Sequence, residues 1–253
     1  MKIVTWNINS VRARLDRLVD WLGRHEPDVV CLQETKVTDP DFPRLEIEAA
    51  GYTTAFFGEK TYNGVAILAR RELEDVVRGF PGDGGEKRAL AATVDGIRIV
   101  TVYVPNGTSL NSERYPFKLD WFDAFGKALD AAGKPGDPLV IGGDFNVAPE
   151  DRDVHDPERW RGKLLCTEAE REKFRALLDW GLADALRLHN PDPGFYTWWD
   201  YRMGGFRRDW GLRIDHFLVT PPAAERTREV TVDREERAGE RPSDHAPVIL
   251  HLD

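Results

Sequence analysis

The chain has 253 residues, 41% of them hydrophobic and 31% charged, with a formal net charge of −9 at pH 7. This length and composition fit one large α/β or two-sheet domain, or two small ones, with ample apolar material for a core. The acidic balance by itself argues against a nucleic-acid binder, whose usual surface is basic, although a bound divalent cation would offset part of an acidic site.

The N-terminus and the cysteines indicate the compartment. The sequence enters a strand pattern directly, without a signal-peptide core, and no apolar run is long enough to span a bilayer. Two cysteines, Cys31 and Cys166, supply no disulfide framework. We therefore expect a cytoplasmic protein in a reducing compartment, with no membrane contact.

The chain opens with a strand–helix–strand pattern. Residues 2–6 predict a strand, and apolar residues at helical spacing then predict a helix that ends at Gly23 and Pro27. Two residues are candidates for its N-cap, Asn9 and Ser10. Residues 28–32 predict the second strand, and the unit as a whole favours parallel neighbours.

Further strands follow in the middle of the chain. They are predicted over 52–57, 64–69, 88–95 and 97–104, and Asp95-Gly96 is a hairpin signal between the last two. A helix with Pro116 in its first turn comes next. Its predicted apolar face comprises Trp121, Phe122, Phe125, Ala128, Leu129 and Ala132.

The run from Leu139 to Asn146 predicts a buried strand that ends in polar residues. If the chain stays extended, Asp144 and Asn146 point to the same side. Gly142 and Gly143, just before them, allow another backbone or a ligand to come close.

The last third returns to strands after one more helix. Thr167-Glu168-Ala169-Glu170 is a capping box at the start of that helix. Strands are predicted over 212–219, 230–232 (an edge strand) and 248–250. We expect a single α/β domain over 1–253, made of two packed sheets with helices outside and built from two loosely similar halves.

Polar residues recur at the predicted strand ends. In open α/β sheets, ligand sites gather beyond the carboxyl ends of strands, so these side chains could converge. Nearby carboxylates repel unless a hard cation lies between them, and Mg²⁺ prefers oxygen ligands. A histidine beside acids then suits a proton or charge partner better than a zinc ligand. Such a set of groups fits phosphodiester hydrolysis, in which negative charge develops on phosphate oxygens. The polar residues at the predicted strand ends are Asn7, Glu34, Tyr103, Asn106, Asp144, Asn146, Asp215, Asp244 and His245.

Each of these residues also has an ordinary structural explanation. Asn7 could cap a helix, Glu34 could be a surface acid, and Asp144 with Asn146 suits a turn. His245 alone is more often structural than catalytic. The functional interpretation depends on the whole set in order, because the ordinary explanation must be repeated independently for each member.

An aromatic segment lies beside arginines near residue 200. Trp198, Trp199 and Tyr201 precede or flank Arg202, Arg207 and Arg208. Aromatic side chains can stack on or wedge into DNA while arginines hold phosphates, and Met203 is a candidate wedge. The alternative is a core edge beside a solvated loop, above all for Trp199.

At these positions the chain resembles the exonuclease III family of DNA repair nucleases, within the endonuclease/exonuclease/phosphatase superfamily. The matching motifs run in family order from residue 4 to residue 248: Trp6-Asn7-Ile8-Asn9, Leu32-Gln33-Glu34-Thr35, Tyr62-Asn63-Gly64-Val65-Ala66, Tyr103-Val104-Pro105-Asn106-Gly107, Gly143-Asp144-Phe145-Asn146, Trp199-Asp200-Tyr201-Arg202, Gly211-Leu212-Arg213-Ile214-Asp215 and Ser243-Asp244-His245-Ala246-Pro247.

The resemblance implies a four-layer α/β sandwich and a monomeric, nucleoid-associated enzyme that acts on double-stranded DNA. It implies cleavage with Mg²⁺, for which Mn²⁺ can substitute. The implied reactions are incision 5′ to abasic sites, 3′→5′ removal of nucleotides from duplex ends, and clearing of blocked 3′ termini.

The resemblance also implies roles for individual residues. Asp144 would activate or orient water, Asn146 would position that water or the phosphate, Tyr103 would contact the phosphate or assist the leaving oxygen, and His245, oriented by Asp215, would stabilise phosphoryl charge. The implied metal site has Glu34 as its main ligand and includes Asn7, Asp144, Asn146, Asp244 and His245. The implied DNA contacts are Asn106, Trp198, Trp199, Arg202, Met203, Leu212 and Ile214, of which Trp198, Leu212 and Ile214 match a pocket for an extruded abasic sugar.

Two departures bear on fine specificity. Relatives specialised for abasic sites can place an arginine in the loop after Pro105, where this chain has Thr108-Ser109-Leu110. Some also carry a methionine where this chain has Arg202.

Two alternatives remain open at this point. One is a phosphoesterase of the same superfamily that acts on lipid phosphates, against which the segment 198–213 argues. The other is a non-catalytic nucleic-acid-binding regulator of the same fold, against which the full set of site acids argues.

Overall fold

The computed structural model describes residues 1–253, apart from the side chains of residues 131 and 132. Its strands are Lys2–Asn7 (β1), Val29–Gln33 (β2), Thr53–Phe57 (β3), Val65–Ala69 (β4), Glu74–Arg78 (β5), Ala89–Val94 (β6), Ile97–Tyr103 (β7), Leu139–Asp144 (β8), Ala183–Asp184 (β9), Trp198–Trp199 (β10), Gly211–Leu212 (β11), Asp215–Val219 (β12), Thr227–Val232 (β13) and Val248–Leu252 (β14). Its α-helices are Leu15–His25 (α1), Arg44–Ala49 (α2), Arg114–Ala132 (α3), Pro157–Trp160 (α4), Glu168–Asp179 (α5), Ala185–His189 (α6) and Pro221–Ala224 (α7).

The strands form two six-stranded mixed sheets. The first has the order β13-β14-β1-β2-β4-β3, and the second has the order β5-β6-β7-β8-β12-β9. Each sheet contains one parallel pair near its centre, β1 with β2 and β7 with β8. The prediction of parallel neighbours for the first two strands is confirmed.

Alternate side chains of the central strands pack on opposite faces, and both faces are covered. In β1, Ile3 joins the core between the two sheets, whereas Val4 and Trp6 pack under α1. In β8, Val140 faces the other sheet, whereas Ile141 packs under α3 and α5. Apolar side chains on both faces of each sheet therefore give helix–sheet–sheet–helix layers, and the predicted α/β fold with two packed mixed sheets flanked by helices is confirmed.

The two sheets approach each other closely at β8. A Cβ atom at Gly142 would lie 2.6 Å from the Phe217 ring and 3.3 Å from Thr5 on the first sheet. A Cβ atom at Gly143 would lie 2.1 Å from the carbonyl oxygen of Val102. The expected close approach at these glycines is therefore present, and it comes from the protein's own strands.

Several boundaries differ from those predicted. Neither Asn9 nor Ser10 caps α1, because a 3-10 turn over residues 12–14 precedes the helix, and Gly23 lies inside the helix rather than ending it. Two edge strands, β5 and β9, were not predicted. The predicted strand 212–219 divides at Arg213, whose side chain turns inward to buried carboxylates.

Other predictions hold at the level of single features. Thr167 and Glu170 form the predicted capping box at the start of α5. Cys31 and Cys166 are buried free thiols. The predicted burial of Ala132 lies outside the described side chains. Among the described residues, no helix has the length and apolarity needed to cross a membrane.

Candidate active site

The register of the second sheet brings three polar side chains together. Asp144, at the end of β8, pairs with Tyr103 on β7 and with Asp215 on β12. The parallel strands β7 and β8 end at the same edge of the sheet, where antiparallel β12 begins. Three of the residues predicted from strand ends therefore lie side by side.

Asn7 joins this edge to the first sheet. Its Nδ2 donates to Glu34 Oε1 at 2.7 Å and to Asp144 Oδ2 at 2.9 Å. Its Oδ1 accepts from the backbone N–H of Asn9 at 3.0 Å. The amide therefore bridges two carboxylates as a donor, and the implied role of Asn7 as a metal ligand does not fit this orientation.

Glu34 lies just after β2 with a left-handed backbone, φ 52°. Its Oε2 accepts from Lys36 Nζ at 2.6 Å, and Lys36 also donates to Asn9 Oδ1 at 2.6 Å. The left-handed turn is held by neighbouring backbone bonds to Asn63 and Gly64. Lys36 was not identified from the sequence, although a cation two residues after a strand-end acid was the available signal.

His245 is held between two aspartates. Its Nδ1 lies 2.9 Å from Asp215 Oδ2, and its Nε2 lies 3.7 Å from Asp144 Oδ2. Thr197 Oγ1 donates to Asp215 at 2.6 Å. Burial would lower the pKa of His245, but the charges of Asp215 and Asp144 raise it to about 10. The two aspartates therefore favour the protonated imidazole when no cation is bound.

Asp144 is fully buried, and the burial raises its pKa to about 7. The backbone does not stay extended after it, because Asn146 has φ 51° and donates its N–H to Asp144 Oδ1 at 2.9 Å. The Asn146 side chain accepts from Asn106 Nδ2 at 2.9 Å and donates to the carbonyl of Val104 at 3.0 Å. Its amide oxygen is therefore engaged by Asn106 and is not directed at a metal.

The donor chemistry at this point fits a hard divalent cation. Ligand-type atoms of Glu34, Asp144 and His245 lie within 4.8 Å of one another. Of these three residues, Glu34 and Asp144 supply the carboxylate oxygens that Mg²⁺ prefers. Asp244 is not in this group, since its two oxygens accept from Asn9 Nδ2 at 2.9 Å and from Trp198 Nε1 at 3.0 Å. The implied metal role of Asp244 is therefore revised to positioning Trp198 and Asn9.

Tyr103 lines a cleft of about 720 Å³ beside Glu34. Arg88 lies 4.6 Å from the centre of the Tyr103 ring and donates to the Tyr103 carbonyl at 3.1 Å. Burial and the charges of Glu34 and Asp144 raise the pKa of Tyr103 well above its usual value. Its hydroxyl therefore stays protonated and can donate a hydrogen bond into the cleft.

A buried ion pair lies beneath the loops that carry Asn106 and Asn146. Lys118 Nζ, on α3, contacts Glu170 Oε1 on α5 at 2.5 Å, and neither side chain is exposed. The same ammonium donates to the carbonyl of Asn146 at 2.7 Å and to that of Asn106 at 3.3 Å. Lys118 thus ties together the two loops that carry the amide pair. Its position one turn before Trp121 and Phe122, on the buried face of the helix, was the signal that could have identified it.

The aromatic segment divides into buried and exposed residues. Trp199 is fully buried, with Nε1 donating to Asp209 at 3.0 Å, so a direct contact with DNA does not fit its placement. Trp198 is half-buried. Met203 is 71% exposed, and Arg202 is exposed and paired with Asp200 at 2.7 Å.

The implied sugar pocket is packed with side chains. Leu212 and Ile214 are buried, and they form a cluster with Leu165 and Cys166 against which Trp198 packs. A sugar would contact Leu212 or Ile214 only if this cluster opened.

Comparisons with known proteins agree with this geometry. A model described as the endonuclease/exonuclease/phosphatase family matches residues 4–245. Exodeoxyribonuclease III of Haemophilus influenzae is 36% identical over 262 residues, covering 98% of each chain.

Two solved structures are similar over the whole chain. A variant of the 3′ phosphatase NExo from Neisseria, bound to a product DNA hairpin, has a TM-score of 0.97 and 45% identity, covering 100% of this chain and 99% of that one. An AP endonuclease from Archaeoglobus fulgidus has a TM-score of 0.96 and 39% identity, with the same coverage. The chain therefore belongs to the endonuclease/exonuclease/phosphatase family, as a nuclease of the exodeoxyribonuclease III type.

Proposed function

We propose that this protein is a Mg²⁺-dependent DNA repair phosphodiesterase. It cleaves duplex DNA 5′ to abasic sites and removes nucleotides or blocking groups from 3′ ends. The observation that carries the proposal is the placement of two carboxylates, the partly exposed Glu34 and the buried Asp144, next to His245. The names of the relatives, which include an exodeoxyribonuclease III, a DNA-bound 3′ phosphatase and an AP endonuclease, support the same chemistry.

Asp144 is the group that takes the proton of the attacking water. Its pKa of about 7 suits a general base near neutral pH, which contributes about 10²–10⁴-fold to a rate. Asn7 and the N–H of Asn146 hold the carboxylate in place. Glu34, the main implied ligand, would hold Mg²⁺ beside Asp144, and the bound ion would supply positive charge to the phosphate.

His245 and Tyr103 donate hydrogen bonds where charge develops. The imidazolium, fixed by Asp215, faces the phosphoryl oxygens through Nε2. The neutral Tyr103 hydroxyl, on the other side of Asp144, donates to the phosphate or to the leaving oxygen. Both groups are charged or protonated before the substrate arrives, so no proton has to be acquired during the reaction.

The proposed reactions are incision at abasic sites, removal of 3′ nucleotides and removal of 3′ blocking groups. The packed cluster around Leu212 favours the two reactions at 3′ ends. An abasic sugar would have to displace Leu165 or Cys166 from Leu212 and Ile214 before entering. A 3′-terminal nucleotide or phosphate needs only the open cleft beside Tyr103.

The test is cleavage of an end-labelled duplex carrying one abasic-site analogue, compared with an intact blunt duplex and with a 3′-phosphate duplex. Each reaction is run with Mg²⁺ and with chelator. We expect Mg²⁺-dependent cleavage, faster at 3′ ends than at the lesion. Folded protein that binds DNA without cutting it would indicate a regulator, and turnover of lipid phosphates alone would indicate a lipid phosphoesterase.

A further inference from the structure

An open groove lies beside the active site, where the aromatic segment near residue 200 meets the loop around residues 155–163, which the sequence motifs did not identify. Four large apolar side chains form its walls, Trp160, Trp198, Met203 and Trp210, and we call it the aromatic groove. Its volume is about 350 Å³, at the lower end of the range of about 300–1,000 Å³ seen for ligand pockets. It shares Trp198 with the implied sugar pocket, but neither Leu212 nor Ile214 lines it, and its other walls come from Trp160, Met203 and Trp210.

The groove adjoins the catalytic histidine. The backbone of Trp198 pairs with that of His245, and the Trp198 ring is held by its hydrogen bond to Asp244. A ligand in the groove would therefore lie next to a group bound at His245.

The loop that supplies the opposite wall is fastened to the same strands. The backbone of Val154 pairs with that of Leu212, and the N–H of His155 donates to the carbonyl of Gly211 at 3.1 Å. The His155 ring stacks on Trp210 at 6.1 Å with an interplanar angle of 18°. The two walls thus have a defined separation before a ligand arrives.

Cations lie at the rim of the groove although the protein as a whole is acidic, with a net charge of −9. Arg208 and Arg159 lie 4.6 Å and 5.7 Å from the centre of the Trp210 ring, and Lys163 lies 6.0 Å from that of Trp160. Among the described residues, none of these three cations pairs with a carboxylate. Arg202 and Asp200, which also line the groove, pair with each other, and the neighbouring Arg161 pairs with Glu158.

An apolar slot of this size with unpaired cations at its rim matches one ligand chemistry. A nucleobase supplies a flat aromatic surface, and its flanking phosphates supply negative charge. A base that stays paired in a duplex cannot enter a concave slot, whereas an unpaired base costs least to turn out of the stack.

We propose that the aromatic groove binds the base of one unpaired nucleotide of the DNA, next to the bond that is cleaved. The base stacks against Trp160 and Met203, while Arg159 and Lys163 hold the adjacent phosphates. This proposal rests on the proposed function, which supplies DNA as the substrate. It adds a preference for ends or sites that carry an unpaired, base-bearing nucleotide.

The test measures binding without cleavage. Three labelled hairpins of the same sequence are titrated in chelator: one fully paired, one with a single mismatched 3′-terminal 2-aminopurine nucleotide, and one with an abasic analogue at that position. Anisotropy gives the Kd, and quenching of 2-aminopurine emission reports stacking on an aromatic ring. We expect the mismatched hairpin to bind about tenfold more tightly than the paired one, which is about 1.4 kcal/mol, with its emission quenched.

Variants assign the effect to the groove. Trp160→Ala, Met203→Ala and Lys163→Gln should each reduce the preference and the quenching; Met203 and Lys163 are exposed, so their substitution does not threaten folding. Arg161→Gln removes a charge one residue beyond α4, outside the groove, and should leave both readouts unchanged.

The outcomes separate this proposal from the proposed function. Equal affinity for the paired and mismatched hairpins, or tighter binding of the abasic hairpin, would overturn the groove assignment, and Mg²⁺-dependent cleavage by the same preparation would leave the nuclease function standing. Folded protein that binds none of the hairpins and cuts no DNA would overturn both.

Discussion

At the scale of single residues, the site is a chain of charges whose protonation depends on burial and on neighbours. Glu34 is balanced by Lys36 on one oxygen and by Asn7 on the other. Asp144 and His245 differ in environment: burial favours the neutral form of the acid, whereas two aspartates favour the charged form of the histidine. In the proposed mechanism, Glu34 therefore serves the metal and Asp144 accepts the proton.

Removing the proton acceptor should abolish activity without unfolding the protein. In Asp144→Asn, an amide of the same shape replaces a carboxylate whose charge is disfavoured by burial, so Tm should not fall. The rate of Mg²⁺-dependent cleavage should fall by at least about 10²-fold.

His245→Ala should lose activity to a similar degree but should also lower Tm, because Asp215 loses its partner. Near-wild-type cleavage by either variant, at saturating Mg²⁺, would disprove the assigned roles.

Glu34→Gln should raise the Mg²⁺ concentration needed for half-maximal cleavage by at least about tenfold, because a neutral amide is a poorer ligand for a hard cation. The measurement is a Mg²⁺ titration of the cleavage rate. Glu48→Gln, which removes an acid from the exposed side of α2, serves as the control. A titration curve that coincides with that of the wild type would exclude Glu34 as a metal ligand.

At the scale of elements, strand register and one helix pair set the geometry. The β7–β8–β12 register aligns Tyr103, Asp144 and Asp215, and the helix pair α3–α5 supports the loops beside them through Lys118 and Glu170. Glu170 also accepts from the N–H groups of Leu165 and Thr167. One carboxylate therefore caps α5, holds the loop before it and fixes a buried ammonium.

Lys118→Met should lower both stability and kcat. Removal of one partner of a buried pair typically costs about 3–5 kcal/mol, and the carbonyls of Asn106 and Asn146 lose their shared donor. The double variant Lys118→Met/Glu170→Gln should regain part of the Tm but not the kcat, while KM for DNA changes little.

The matched control is Lys173→Met, which breaks an exposed Lys–Asp pair between the same two helices. It should change neither readout appreciably, since exposed pairs contribute little to stability. If the double variant recovered kcat together with Tm, the ion pair would serve folding alone.

At the scale of the whole molecule, two sheets must be held face to face for the site to exist. Asn7 and Glu34 belong to one sheet and Asp144 and Asp215 to the other, and Gln33 Nε2 bridges Thr5 and Thr101 beneath them at 2.9 Å each. On the far side of the second sheet, Arg213 pairs with Asp153 and Asp184, and its Nη1 donates to His216 Nδ1 at 2.9 Å.

This buried cluster should make the protein less stable in acid. Burial and Arg213 lower the pKa of His216 to about 4 from 6.5. Although burial raises the pKa of Asp153, Arg213 and Arg187 lower it to about 2 from 3.8. From pH 6.5 down to about 4, the unfolded chain binds a proton at His216 that the folded protein does not, so the free energy of unfolding falls by about 1.4 kcal/mol per pH unit. Asp153 adds a similar loss from pH 3.8 down to about 2.

Urea denaturation followed by tryptophan fluorescence between pH 7 and pH 4 measures this slope. His216→Gln keeps one donor for Val147 and one acceptor for Arg213 but cannot be protonated, so its slope should be flatter by about one proton. His189→Gln, at an exposed position, should keep the wild-type slope. If His216→Gln left the pH dependence of the free energy of unfolding unchanged, His216 would not be the group responsible for it.

Periodicity, turn residues and ordered motifs are local properties of the chain, and they were enough to predict the two packed sheets, most of the central strands and the set of chemical groups at the site. The sequence identified Glu34, Asp144 and His245 without showing how their charges respond to one another. Four properties follow from the three-dimensional arrangement alone: Asn7 bridges Glu34 and Asp144, two aspartates flank His245, Trp199 is buried, and Lys118 holds the loops of Asn106 and Asn146. These properties depend on burial and on distances of a few ångströms between residues that lie from 10 to 137 positions apart in the chain, and local sequence patterns carry no record of such distances.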